Sequence, residues 1–278
     1  MKSAEMAVLV VSLYVLLLVV ITCEIARRAT LKLLCRERRG YEVYVAEIIS
    51  TVQLCACSHE LQLLSDDAPE IALTLTYVIS VVHARTFRSA AGNPGAVLER
   101  DWCGSLSGAC ALRRIACQLA AAAAAGLGMQ RAWAFELSDL HARHARSGFA
   151  CASPIEHVGL LEAVAVELGC AFAVHAAATL TRGVEEKYRV HAVAAVITAV
   201  VYAGGSTTGA VFNPALALTS QFPCTGSTFV KNILVYWLGP VLGIACSLLL
   251  FNKVIVAFTS KSTSDKDQNL IAVQKKRN

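Results

Sequence analysis

Two asparagine-proline pairs and two glutamates have the types and spacing that could build a transport path. The pairs begin at Asn93 and Asn213, and a glutamate inside an apolar segment, Glu47 or Glu167, lies 46 residues before each of them. A single Asn-Pro is a weak signal of a turn or a helix start. Because the spacing is identical, residues 42–104 repeat as 162–224 with a shift of 120 and no gap.

The paired motifs predict helix starts whose side chains face a common path. Proline suits the first turn of a helix, and asparagine before it can cap the N-terminus. Segments 92–103 and 213–222 are too short to cross about 30 Å of hydrocarbon. Two such half-helices that meet end to end would place two partial positive charges and two carboxamide donors at the midplane. This arrangement can hold a neutral molecule by its oxygen and oppose protons and cations.

The glutamates fit the same arrangement. A carboxylate inside a membrane must face the bundle interior and find partners. We expect Glu47 and Glu167 to accept hydrogen bonds from N–H groups that the half-helix segments leave unpaired. A glutamate near a headgroup region is the alternative for either residue alone.

The composition of the chain places these motifs in a membrane protein. Of 278 residues, 56% are hydrophobic and only 16% are charged, against about 25% in soluble domains. No charged residue occurs in 6–23, 115–130, 190–230 or 232–252, and runs of this length predict spans. We place the spans at 6–26, 42–64, 70–87, 107–129, 155–181, 190–206 and 230–252. One span separates the two repeat units, so the second unit is inverted relative to the first, as in many transport proteins.

We divide the chain into five parts. An extra apolar helix with a basic linker (1–41) precedes the helices and half-helix of the first unit (42–104). The third helix of that unit and a loop follow (105–161). The second unit with its half-helix and last helix (162–252) and a polar tail (253–278) complete the chain.

The sequence resembles the aquaporin family, and in particular an unorthodox intracellular branch of it. The paired motifs, ACQLAAA at 116–122, VYAGGSTTGAVFNPALAL at 201–218 and YWLGPVLG at 236–243 carry the resemblance. It implies an all-α bundle of six transmembrane helices plus two re-entrant half-helices, assembled as a homotetramer in the lipid bilayer. It also implies passage of water, and sometimes of glycerol or hydrogen peroxide, without a cofactor. The implied pore-motif residues are Asn93, Pro94, Gly95, Asn213, Pro214 and Ala215.

Two positions depart from the family pattern. Gly95 stands where aquaporins usually have alanine, and we expect this loss of a side chain to loosen the packing. Leu216 stands where most aquaporins have the arginine of the outer constriction. Counting back without gaps places the other constriction positions at Leu73, Val201 and Ala210, so all four would be apolar. An apolar constriction opposes water by dewetting, although small side chains widen it.

The flanks of the chain give expectations about topology. Basic residues follow the first apolar run, which favours a retained helix with its C-terminal flank in the cytoplasm. An amphipathic anchor at the interface is the alternative, against which the all-round apolarity of the run argues. Lys275 and Lys276 resemble a dilysine signal for retrieval to the endoplasmic reticulum from a cytoplasmic C-terminus. A solvated basic tail is the other interpretation. Cys151 and Cys224 would share the lumenal side, but cysteine pairing cannot be deduced from sequence.

The leading functional hypothesis is a passive channel for water and small neutral solutes in an intracellular membrane. A membrane scaffold that keeps the fold but conducts little is the alternative, because the constriction is apolar. An enzyme ranks last, since no nucleophile-base pair stands out. We expect no nucleic-acid partner, and the cysteines lack the spacing of a metal site.

Overall fold

The computed structural model describes residues 3–34 and 40–251, and the regular secondary structure of these residues is helical. The tail 253–278, with Lys275 and Lys276, lies outside the described residues. The helices are α1 (Ser3–Leu34), α2 (Glu42–Ser65), α3 (Pro69–Thr86), α4 (Pro94–Trp102), α5 (Gly108–Trp133), α6 (Asp139–Arg146), α7 (Leu160–Leu180), α8 (Glu186–Thr208), α9 (Pro214–Ser220) and α10 (Phe229–Phe251). The second turn of α10, Leu234–Leu238, is π-helical.

Five of these helices are long and apolar enough to cross a membrane: α1, α5, α7, α8 and α10. Helices α2 and α3, which the sequence also predicts to span, pack in the same bundle and have 24 and 18 residues. At 1.5 Å per residue these lengths correspond to about 36 and 27 Å. The α2 helix is less apolar than those five helices because it buries Glu47, Gln53 and Glu60 inside the bundle.

The order of the elements repeats along the chain. Two long helices, a short helix and a third long helix form the first unit, α2 to α5. The same order returns in α7 to α10, and α6 lies in the connection between the two units. The short helices, α4 and α9, have nine and seven residues and follow the Asn-Pro pairs.

Close approach of helix backbones holds the second unit together. Helix α7 packs against α10, where Gly239 and Gly243 face it. A Cβ atom at Gly239 would lie 3.1 Å from the carbonyl oxygen of Val164, and one at Gly243 would collide with the carbonyl oxygen of Leu168. These glycines therefore serve core packing, as a GxxxG pair does when two helices approach closely.

The extra helix α1 lies against α2. Val8 and Val15 join the apolar cluster of Leu63, Leu64 and Trp133, and Leu16 packs with residues of α2 and α3. On the opposite side of α1, large apolar side chains remain exposed, among them Val10, Tyr14, Leu17, Leu18, Ile21 and Ile25. A helix with one face on the bundle and the other apolar and exposed suits a position between the protein and lipid.

Candidate channel site

Two asparagines cap the two short helices. Asn93 and Asn213 have extended backbones, and proline occupies the first helical position after each of them. The Oδ1 atom of Asn93 accepts a hydrogen bond from the Gly95 N–H at 2.8 Å, and that of Asn213 accepts one from the Ala215 N–H at 3.0 Å. Side-chain oxygen and proline thus fix the start of each half-helix, which is what these residue types do at helix N-termini.

The same two side chains connect the half-helices to each other. The Nδ2 group of Asn93 donates to the Phe212 carbonyl at 3.3 Å, and that of Asn213 donates to the Gly92 carbonyl at 2.8 Å. Each asparagine therefore contacts the residue that precedes the other asparagine. A carboxamide has two N–H donors. Within the described residues each amide uses one N–H for these bonds, and its second N–H has no protein acceptor.

The first buried carboxylate holds the chain that leads into α4. Glu47 is fully buried and accepts hydrogen bonds from the N–H groups of Ala91 and Gly92, both at 3.0 Å. Gln118 on α5 donates to it at 2.8 Å, and the guanidinium of Arg114 lies 3.4 Å away. The carboxylate thus compensates for backbone donors that a broken helix leaves unpaired.

The second carboxylate does the same for the chain that leads into α9. Glu167 is fully buried and accepts from the N–H groups of Val211 at 3.0 Å and Phe212 at 2.6 Å. The Thr208 hydroxyl donates to it at 2.6 Å. No cation pairs with Glu167 among residues 3–34 and 40–251, which distinguishes it from Glu47.

The approach to each half-helix has a left-handed backbone. Gly92 has φ +60°, and the equivalent residue of the second unit, Phe212, has φ +36°. Ala210 also has a positive φ, +45°. Glycine adopts such angles without cost, whereas other residues are strained by about 1–3 kcal/mol. The hydrogen bonds that Glu167 accepts from the N–H groups of Val211 and Phe212 help to hold that strained conformation.

The four predicted constriction residues lie on three helices and on the segment that leads into α9. Leu73 is on α3 and Val201 on α8, two helices that pack together, and both side chains are partly buried. Ala210 is buried in the segment before α9, and a Cβ added to Gly204 of α8 would lie 3.3 Å from the Ala210 Cβ. Leu216 is in the first turn of α9 and packs against two apolar clusters. Ala210 and Leu216 therefore both lie within three residues of Asn213 in the chain, whereas Leu73 and Val201 lie on the long helices α3 and α8.

The expected loosening at Gly95 is wrong. A Cβ atom at this position would lie 2.7 Å from Cδ1 of Ile244 on α10. Ile244 is buried and occupies the space that an alanine methyl group would take. The first motif is thus packed by a larger side chain from the other repeat unit.

Other contacts at the site were not foreseen from the sequence. Arg114 and Gln118 complete the environment of Glu47, and Gln118 was signalled only as one polar residue in a long run without charge. The Tyr236 hydroxyl donates to the Thr208 carbonyl at 2.8 Å. A disulfide joins Cys151 to Cys224, four residues after α9, so the pairing left open by the sequence is made in the structure.

Comparison with known proteins agrees with this geometry. The family model described as major intrinsic protein matches residues 44–251, which is most of the chain. The chain belongs to the major intrinsic protein family. This is the aquaporin family, and the chain is a multi-pass membrane protein like its other members. Membership implies a channel for water or small solutes. Proteins of this family are channels and not enzymes.

Several relatives are similar to this chain over most of their length. Human aquaporin-11 is 40% identical over 228 residues, which is 81% of this chain and 83% of the relative. Rat aquaporin-11 is 36% identical over 261 residues, or 93% and 94% of the two chains. Mouse aquaporin-12 is 34% identical over 235 residues, or 82% and 80%. The match to the rat protein extends beyond the family model, so it includes part of the region around α1.

Proposed function

We propose that the protein is a passive channel for water and small neutral solutes, among them glycerol and hydrogen peroxide, across an intracellular membrane. The reciprocal contacts of Asn93 with Phe212 and of Asn213 with Gly92 carry this proposal. They fix two amide groups at the junction of the half-helices, each with one donor left. A solute with a hydroxyl or water oxygen can accept from both donors in turn.

Selection against cations follows from the same geometry. Each half-helix N-terminus contributes a partial positive charge of about +0.5. The N–H donors orient an acceptor oxygen and offer a cation no ligand. The helix ends and the N–H donors at the junction therefore favour neutral molecules over cations.

The constriction determines which neutral molecules pass best. We infer that Leu73, Val201, Ala210 and Leu216 line it, with Leu216 in place of a cationic donor. Without such donors, dewetting of the constriction opposes the entry of water, and it opposes solutes with carbon surface less. We expect slow water permeation, with glycerol and hydrogen peroxide as further substrates.

Location and assembly are also proposals. The resemblance to an unorthodox intracellular branch of the aquaporins favours an intracellular membrane. The basic residues Lys275 and Lys276 favour the endoplasmic reticulum, with the C-terminus in the cytoplasm. The resemblance to aquaporins favours a homotetramer with one pore in each subunit. No group of three or more metal-ligating side chains lies within the described ranges, and the proposed transport needs no cofactor.

Stopped-flow permeability of proteoliposomes tests the proposal. Water, glycerol and hydrogen peroxide are compared for the wild type, the double variant Asn93→Ala/Asn213→Ala and the control Gln62→Ala, which removes an exposed carboxamide on α2. Flux above that of empty liposomes, lost in the double variant and kept in the control, supports a channel. Flux at the lipid background for all three solutes, with folded protein, would refute it.

A scaffold that conducts little is the second candidate, and the apolar environment of Leu216 favours it. Leu216→Ala separates the two functions. In a channel the smaller side chain widens the constriction and raises glycerol flux. In a scaffold only expression or stability changes.

A further inference from the structure

A small cavity lies at the end of the bundle where α1 ends and α2 begins. Its volume is about 70 Å³, and Leu31, Val43, Ile49 and Phe87 are among the residues that line it. One water needs about 10–15 Å³ of such space. The mostly apolar wall disfavours a cluster of waters and favours part of a hydrocarbon or glycerol group.

Guanidinium groups converge on this cavity. Arg27 and Arg88 line it, and the neighbouring Arg28 shares the carboxylate of Glu24 with them at 2.8–3.8 Å. Glu42 lines the cavity as well. Among the described side chains, three arginines and two carboxylates surround the cavity, which leaves an excess of one positive charge.

Arg27 is the buried member of the group. Its side chain is 3% exposed, and it donates to Glu24 at 2.9 Å and to Gln53 of α2 at 2.9 Å. Its Nε–H has no partner among the described residues. A buried N–H of a charged group is costly to leave unpaired, so it points to an acceptor that is not part of the described chain.

Arg28 and Arg88 provide the accessible side of the site. Their side chains are 70% and 52% exposed, whereas Arg27 is enclosed. Guanidinium groups bind phosphate oxygens with pairs of N–H donors. The site lies where a span ends, which is also the depth of lipid headgroups.

We propose that this site binds one acidic phospholipid. Arg28 and Arg88 hold the phosphodiester on the accessible side, and the glycerol and first acyl carbons enter the cavity beside Arg27, Leu31 and Val43. Among the described side chains, the excess of one positive charge matches a lipid with one net negative charge. The bound lipid would lock α1 against α2 and against the segment that leads into α4.

Native mass spectrometry of the full chain in detergent tests this site. Delipidated protein is titrated with phosphatidylserine, with phosphatidylcholine of the same acyl chains and with the soluble headgroup glycerophosphoserine. The variants are Arg28→Gln/Arg88→Gln, the cavity-filling Ala46→Leu and the control Arg182→Gln/Lys187→Gln, which removes two exposed cations at the same end of the bundle.

We expect one phosphatidylserine per protomer, bound about 20- to 30-fold more weakly by Arg28→Gln/Arg88→Gln and unchanged in the control. Ala46→Leu should weaken lipid binding with the charges intact, which keeps the test valid if the arginine variant unfolds. Equal affinity of wild type and both site variants would overturn the proposal. So would equal binding of phosphatidylcholine, or binding of glycerophosphoserine as tight as that of the lipid, which would indicate a site for soluble phosphate.

Discussion

Replacing Glu167 by glutamine tests how the second half-helix is held. The carboxylate accepts from Thr208 and Val211 through one oxygen and from Phe212 through the other. A glutamine can keep only one acceptor oxygen. If it keeps the bonds to Thr208 and Val211, its amino group faces the Phe212 N–H, and that bond becomes a contact between two donors.

The expected loss can be estimated from these contacts. A hydrogen bond to a charged group contributes about 1.5–3 kcal/mol, and the two that remain become weaker, neutral ones. Because glutamine avoids the cost of burying a charge, part of this loss is offset. We expect a net destabilisation of about 2 kcal/mol, or a fall of about 4–8 °C in the unfolding midpoint of a chain of this size.

Function should suffer with stability. Without the bond to its N–H, Phe212 can leave its left-handed conformation, and the carbonyl that accepts from Asn93 moves with it. Thermal unfolding in detergent and proteoliposome permeability are measured for Glu167→Gln and for Glu162→Gln, an exposed glutamate on the same helix. If both variants behave like the wild type in both assays, the carboxylate does not hold this segment and the reasoning is wrong.

Three further predictions address the junction, the packing and the loop. Asn93→Ser/Asn213→Ser keeps oxygen caps but removes both amide donors and their bonds to the Phe212 and Gly92 carbonyls, so permeability and the unfolding midpoint should both fall. An unchanged permeability would contradict the proposed donor role. Gly95→Ala should cost about 1 kcal/mol because it collides with Ile244, and less in the background of Ile244→Val, which a double-mutant cycle of unfolding checks. Burial lowers the pKa of His144 below 6.5, so the stability gained from keeping this side chain neutral is present above that pH and is lost as the pH falls. Replacing it in His144→Phe should therefore flatten the fall of the unfolding midpoint between about pH 7 and 5.

The repeat in the sequence predicted the features that the two units share. Both half-helices, both caps and both buried glutamates occur at positions related by the shift of 120. Their physical basis is local, since a proline, an asparagine and a carboxylate act on the few backbone groups next to them. Such features can be deduced from residue type and spacing.

Contacts made by one unit alone could not be found in this way. Under the same shift Arg114 and Gln118 correspond to leucines, and Ile244 corresponds to an alanine. The fully buried Glu60, which accepts from Trp133 at 2.9 Å and contacts His141 at 3.0 Å, also corresponds to a leucine. These contacts depend on how helices from distant parts of the chain pack, and periodicity does not encode that.

The two halves of the junction consequently differ in charge. Glu47 forms an ion pair with Arg114, whereas Glu167 accepts hydrogen bonds only from neutral donors within the described chain. Leu216 adds no cation on that side. Near α9, then, the Glu167 carboxyl group has only neutral donors as partners, and the nearby helix end contributes only a partial positive charge. In the proposed channel, selection against cations therefore depends on the amide donors and helix ends at the junction, because position 216 holds leucine and not arginine.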